Sequence, residues 1–331
     1  MEVFMEHKLE FAYYFSGIGL QESYKGITVS VEKRDVNYEG LDLKNCVLVK
    51  YSIPKIEWNS GLSQVDITQI VTSESDLFVN TLYLLLNNPC KLLMANVLLD
   101  SVEFEPKYSA RSLDGLYNLL VERNKFAGSR NLTTLVHKTG WSILEKLVTE
   151  FRIKPASIKI KVELALRWCA KASNEYASID RLVSYWIPFN SLFEGLGDNE
   201  QKSIEKYIDK NVDLFVAQRI YTNYQRQLST LASLKIELRN KRKVSDELNN
   251  LLTANAKDHI SIIKMMALAI YGVRNNLFHG NYDLYSSQTK RNVVVAERLL
   301  SEFMKEIVAK EMLGYPLMSS VFRIQTKVGM G

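Results

Sequence analysis

The spacing of apolar residues changes character along the chain. Over the first seventy positions they come in short runs rich in β-branched and aromatic side chains: EFAYYF, then GITVSVEKRDV with alternation at Ile27, Val29 and Val31, then NCVLVKYSI, then VDITQIV. Alternation with this composition is the pattern of half-buried strands. Gly17, Gly19, Gly26, Gly40 and the segment from Trp58 to Gly61 separate the runs, so the sequence predicts a small antiparallel sheet. From Ser73 onward the pattern turns helical. Ser75 or Asp76 is placed to cap a helix running to Leu86, and Ser112 with Asp114 opens another through about Lys125. Between them VLLDSVEFEPKY returns one strand, and a further helix is expected from Leu132 to Phe151. Residues 1–150 therefore read as an α+β domain.

Pro155 disfavours helix at the residue before it, and the domain boundary is placed there. Everything beyond reads as an all-α helical bundle over residues 155–312, followed by a tail at 313–331. One helix is expected from Ile158 to Tyr176, with Val162, Ala165, Leu166 and Cys169 at i, i+3, i+4 and i+7. The next begins at Ser178 as N-cap, carries Leu182, Trp186, Phe189 and Phe193, is interrupted by Pro188, and stops at Gly195 and Gly197. Asp198 is read as the cap of a helix from about Glu200 to Val216. The basic segment from Arg219 to Leu252 fits one helix or two, and a final pair spans Asp258 to His279 and Ser286 to Lys310.

Composition narrows the function classes. The chain has 331 residues, 47% of them hydrophobic and 24% charged, which suits an ordered protein with a sizeable core. The apolar stretch from Leu77 to Leu99 is broken by Asn87, Asn88 and Pro89, so neither half is long enough to span a bilayer. Glu2, Glu6 and Glu10 stand where a secretory leader would be basic. A cytoplasmic protein without membrane contact is expected. Cys46, Cys90 and Cys169 are odd in number and far apart, and His7, His137, His259 and His279 have no metal-pair spacing, so neither a disulfide framework, a metal nor another cofactor is expected. The net charge of +5 is uneven. Residues 1–150 hold 15 Lys/Arg against 19 Asp/Glu, and residues 151–331 hold 27 against 18. An anionic partner for the second half would fit that asymmetry.

One segment carries specific chemistry. KMMALAIYGVRNNLFHGNYD begins as a core helix, with Ile262, Met265, Met266, Ala269, Ile270 and Val273 at the helical period. It ends in Arg274, Asn275, Asn276, Leu277, Phe278 and His279, with Gly280 suited to the left-handed position that terminates a helix. On a regular helix Arg274 and His279 lie roughly 140° apart, while Asn275 and His279 share a face. An imidazole that exchanges protons near neutral pH, beside a permanent guanidinium, is a minimal kit for cleaving RNA. Asn275 can orient the imidazole or bind the phosphate.

VRNNLFHG resembles the R-x(4-6)-H motif of the HEPN superfamily, including the polar residue after the Arg and the apolar residues before the His. SIDRLVSYWIPFNSLFEGLG is similar to the second core helix of HEPN domains, with Glu194 in the place of an acidic residue near its end. The resemblance spans roughly Pro155 to Lys310 and leaves residues 1–150 unassigned. It implies a helical bundle that forms a homodimer with the two motifs facing each other, and a metal-independent endoribonuclease of the kind found among toxins and antiviral defence effectors. Arg274 and His279 would be catalytic and Asn275 supporting. The alternative is a non-catalytic HEPN-like module for RNA or nucleotide binding and dimerisation.

Other residues are read as follows. Lys235, Arg239, Lys241, Arg242 and Lys243 are candidates for tracking an RNA backbone, with Tyr221 and Tyr224 as base-stacking partners. Tyr185, Trp186, Phe189 and Phe193 are read as core. Asp283 is read as solvent-exposed, and His137 and His259 have no catalytic partner at any spacing in the sequence. The first domain is assigned a sensing or restraining role on its separate composition and charge.

Overall fold

The computed structural model describes residues 4–16, 18–20, 22–38, 41–59, 64–86, 91–99, 102–104, 134–136, 138–175, 177–238, 240–254, 257–280, 282–283 and 286–315. They divide into two compact units, one up to Ile153 and one from Lys154 onward.

The first unit is α+β. Strands β1 (Phe4–Ser16), β3 (Tyr24–Lys25), β4 (Val29–Tyr38), β5 (Leu41–Asn59), β6 (Lys91–Leu99) and β7 (Val102–Phe104) form one six-stranded antiparallel sheet in the order β3-β4-β5-β1-β6-β7. A parallel pair joins β2 (Ile18–Leu20) to β8 (Thr134–Val136). Tyr13 and Tyr51 on the sheet stack with Phe78 of helix α1 (Gln64–Leu86), and Phe11 stacks on both tyrosines, with ring centroids 4.6–5.9 Å apart. Helix α2 (Lys138–Arg152) buries Trp141, Leu144, Leu147, Val148 and Phe151. Glu145 on α2 pins the hairpin between β3 and β4: its carboxylate accepts from the amides of Thr28 (2.5 Å) and Val29 (3.3 Å), the Thr28 hydroxyl (3.1 Å) and the Tyr24 hydroxyl (2.5 Å).

Several boundaries differ from the sequence expectation. VDITQIV is the start of α1 and not a strand. Its β-branched residues fit extended backbone, but the run opens a 23-residue helix whose Phe78, Leu82 and Leu85 are buried at the helical period, and that longer pattern prevails. The helix expected from Leu132 starts at Lys138, because Thr134–Val136 pairs with β2 instead. VLLDSVEFEPKY supplies a hairpin of two strands where one was expected. Ile27 does not continue the inward alternation of Val29 and Val31. It is 95% exposed at the hairpin tip, whereas both valines are buried. The helix expected from Ser112 lies outside the described residues, as do His137, Cys90 and the tail beyond Tyr315.

The second unit is helical: α3 (Ala156–Asn174), α4 (Ser178–Phe193), α5 (Glu200–Asn211), α6 (Leu214–Ala232), α7 (Val244–Thr253), α8 (His259–Phe278) and α9 (Ser287–Leu313). Among the described residues no helix is long and apolar enough to cross a membrane. Helix α8 packs against α5, α6, α7 and α9. From Ile262 to Ile270 it is buried on nearly every side, as expected of a helix hydrophobic all round. Tyr185, Trp186, Phe189 and Phe193 are buried, the last three in mutual edge-to-face contact. Cys169 is a buried free thiol.

Caps explain where these helices begin. Asn199, not Asp198, caps α5, its side chain accepting from the Lys202 amide at 2.9 Å, while Asp198 pairs with the Lys202 ammonium. The helix expected to continue to Val216 breaks at Asp213, whose carboxylate caps α6 through the Val216 amide at 2.9 Å. Ala177 rather than Ser178 occupies the cap position of α4. Asp258 caps α8 and Ser286 caps α9. The side chains of Asn199, Asp213, Asp258 and Ser286 each satisfy an amide that has no partner within its own helix, whereas Ala177 makes no such bond.

Candidate active site

The residues RNNLFHG close α8. The His279 amide donates to the Asn275 carbonyl at 3.0 Å, His279 is the C-cap, and Gly280 has φ of 69°. Only a residue without a Cβ takes that conformation without strain. His279 is therefore displayed at the exposed end of a helix whose middle is the core of the bundle. The chain leaves through Tyr282, whose hydroxyl accepts from Asn292 Nδ2 at 3.3 Å, and enters α9 at Ser286.

Arg274 is half-buried and held from three directions. Its Nη1 donates to Asn275 Oδ1 at 2.8 Å, and Glu200 Oε1 of α5 lies 3.7 Å away. Its guanidinium carbon sits 5.5 Å from the centre of the Trp186 ring and 4.7 Å from that of Phe278. The contact with Phe278 follows from i, i+4 spacing and draws the guanidinium along the last turn, towards the residue that precedes His279. The long Arg side chain lies over Phe278 instead of pointing radially outward. Arg274 Nε and Trp186 Nε1 are buried donors without a protein acceptor among the described residues.

Beneath the motif, Tyr271 stacks on Trp186 with centroids 6.0 Å apart. Burial raises its phenol above the ordinary range, a hydrogen bond from Asn275 works the other way, and Glu200 raises it further. Glu200, Tyr271, Arg274 and Asn275 thus form one connected polar group at the meeting of α5 and α8. Glu194, read as the acidic residue near the end of the second core helix, is the exposed C-cap of α4. The acid beside Arg274 is Glu200, 74 positions away, and nothing in the local sequence connects the two.

The basic segment is placed differently from a helical face. Residues 233–238 and 240–243 lie between α6 and α7 outside any helix, with Lys235 at φ 53°, Lys241 at φ 62° and a bridge between Glu237 and Lys243. The loop is anchored beside the motif. Asn240 reaches Gln201 of α5 at 3.1 Å, and Ile236 lies so close to Gly272 of α8 that a Cβ there would stand 2.4 Å from its Cγ2. Lys235, Lys241 and Lys243 are exposed. Arg242 is engaged by acids of the protein itself: it binds both Glu247 oxygens at 2.8 Å and Glu205 at 2.6 Å, and these partners, Glu247 foremost, hold it firmly protonated. Arg239 lies outside the described residues.

The expected stacking pair is also engaged elsewhere. Tyr221 meets His259 edge-on at 4.9 Å. Tyr224 sits at a break in α6 (φ −125°, ψ 26°), where burial, then Glu302, push its phenol up. Asp283 is exposed after the motif. Among the described residues no cluster of three His, Cys, Asp or Glu is placed to hold a metal ion. Compared with protein-family models, curated proteins and solved structures, the chain matches none of them.

Proposed function

We propose that the helical unit is a HEPN-type, metal-independent endoribonuclease in which Arg274 holds the scissile phosphate and His279 moves the proton. The observation that carries this reading is the joint placement of the pair. The guanidinium is stacked over Phe278 at the end of α8, and the imidazole is displayed at the next residue. In the reaction the 2′-oxygen attacks phosphorus, the O2′–P bond forms and the P–O5′ bond breaks, leaving a 2′,3′-cyclic phosphate and a 5′-hydroxyl. His279 takes the 2′-hydroxyl proton. The departing 5′-oxygen is protonated by water or by the imidazolium of a second subunit, since the resemblance implies a homodimer. Arg274 offsets the charge that builds on the phosphoryl oxygens.

Lys235, Lys241 and Lys243, on the loop anchored at α5 and α8, supply phosphate contacts beside the site. Defence or toxin activity in the cytoplasm, and a sensing role for the first unit, belong to the same reading.

A second reading, a non-catalytic RNA- or nucleotide-binding module, is favoured by one observation. The Arg274 guanidinium already has Asn275 and Glu200 as partners. Wild-type and His279→Ala protein incubated with labelled single-stranded RNA in EDTA decide between them. Cyclic-phosphate products from wild type alone are expected. Binding without cleavage by either protein refutes the nuclease and supports the binding module.

A further inference from the structure

The first three turns of α9 carry a feature that the motif does not use. From residue 284 to residue 296 the chain has Lys290 and Arg291 and no Asp or Glu. Lys290, Arg291, Val294 and Arg298 are all exposed, and their spacing puts them on one face. The rest of α9 treats its charges differently. Glu297 is buried against Arg181 (2.9 Å), Lys305 against Glu302 (3.1 Å), and Lys310 meets Asp213 (3.1 Å). Among the described residues the side chains of Lys290 and Arg291 have no such acid. Lys290 and Arg291, with the exposed Arg298 beyond them next to Glu297, make a local positive surface, reinforced by the partial positive end of the helix itself.

This surface adjoins the candidate site. Asn292, between Arg291 and Val294, donates to Tyr282 of the segment that follows His279, and accepts from Gln288 one turn earlier at 2.9 Å. The start of α9 is thereby tied to the end of α8. From Lys290 to Arg298 the face extends about 12 Å along the helix.

We propose that Lys290, Arg291 and Arg298 form a phosphate track on which the backbone of single-stranded RNA lies as it enters the site of Arg274 and His279. The track rests on the nuclease reading for its destination. Phosphate contacts of this kind position a nucleic acid without reading its sequence.

The test uses the full chain and a fluorescein-labelled single-stranded RNA, with binding followed by anisotropy across a salt series and cleavage followed separately. Lys290→Ala, Arg291→Ala and Arg298→Ala are combined in one variant, and Lys161→Ala, an exposed cation on α3 outside the site, serves as the reference. Loss of three phosphate contacts lowers the slope of log K against log salt by about 2 and weakens binding by roughly tenfold at moderate salt. Lys161→Ala keeps the wild-type slope. Far-UV circular dichroism and an unchanged Tm show that the triple variant is folded, and Arg291→Gln alone gives about a third of the slope change. Equal slopes for wild type and the triple variant overturn the track, and cleavage by wild type then leaves the active-site reading standing. Loss of binding in the variant when wild type binds but never cleaves supports the track and sinks the nuclease. A wild type that does not bind RNA overturns the track whatever the cleavage assay gives.

Discussion

Gly272 is where the basic loop meets the motif helix, so Gly272→Ala tests that junction directly. A Cβ at this position would stand 2.4 Å from Ile236 Cγ2 and 3.1 Å from Leu238 Cδ2, whereas carbons rest at roughly 3.5–4.0 Å. Ile236 cannot simply withdraw. Its amide donates to Ser245 Oγ at 2.8 Å, and its carbonyl accepts from the Ser245 amide at 3.4 Å. Overpacking of this kind costs about 1–3 kcal/mol. Alanine returns about 1 kcal/mol through helix propensity. The net loss is about 1 kcal/mol, a fall in Tm of roughly 2–4 °C for a unit of this size. Thermal unfolding of the full chain measures it, and a double-mutant cycle isolates the contact. Ile236→Ala alone costs about 2–5 kcal/mol through the cavity it leaves. In the Gly272→Ala background it costs less, because the new methyl occupies part of that space, and the two changes are expected to couple by at least about 0.5 kcal/mol. Strict additivity, or a rise in Tm on Gly272→Ala alone, refutes the close approach of loop and helix.

Three further outcomes are expected. Arg274→Lys keeps the charge but loses the planar group stacked between Trp186 and Phe278, so kcat for RNA cleavage should fall by roughly a hundredfold or more with little change in Tm. Steady-state kinetics check this, and near-wild-type turnover would refute the role of the guanidinium. Arg181→Ala strands Glu297, whose carboxyl burial already raises against the opposing pull of Arg181. About 3–5 kcal/mol of stability is lost. Because the folded pKa is raised, the variant should recover stability as pH falls towards the ordinary carboxylate value, as urea unfolding at several pH values would reveal. For Glu145, burial raises its carboxyl, but hydrogen bonds from the Thr28 amide, Tyr24, the Thr28 hydroxyl and the Val29 amide outweigh it and hold it below the ordinary value. Its contribution is therefore full above about pH 4.3 and lost as pH falls through the lower folded value. Glu145→Gln should flatten that acid limb of the stability curve, and an unchanged limb would show that the hairpin is held in some other way.

What the sequence determined by itself lies in local chemistry. Asp258 and Gly280 bracket α8 because a carboxylate caps free amides at one end and a residue without a Cβ closes the other. The apolar period between them marks a core helix, and the aromatic run of α4 is likewise legible as core. The β-branched runs of the first unit announce strands for the same reason, although the run at Val65–Val71 was claimed by a longer helical face. The loop at 233–243 was not legible, since it contains neither Gly nor Pro. Its turn comes from the contacts of Ile236 with Gly272 and of Arg242 with Glu205 and Glu247. The acidic neighbour of Arg274 was equally hidden. The caps of α5 and α8 set where each helix begins, but only the packing of those helices places Glu200 beside Arg274 and lays the guanidinium between Trp186 and Phe278. Backbone hydrogen bonds and caps act within a few residues and can be read in order. Burial and ion pairing join residues far apart in the chain, and only the folded chain decides which of them meet.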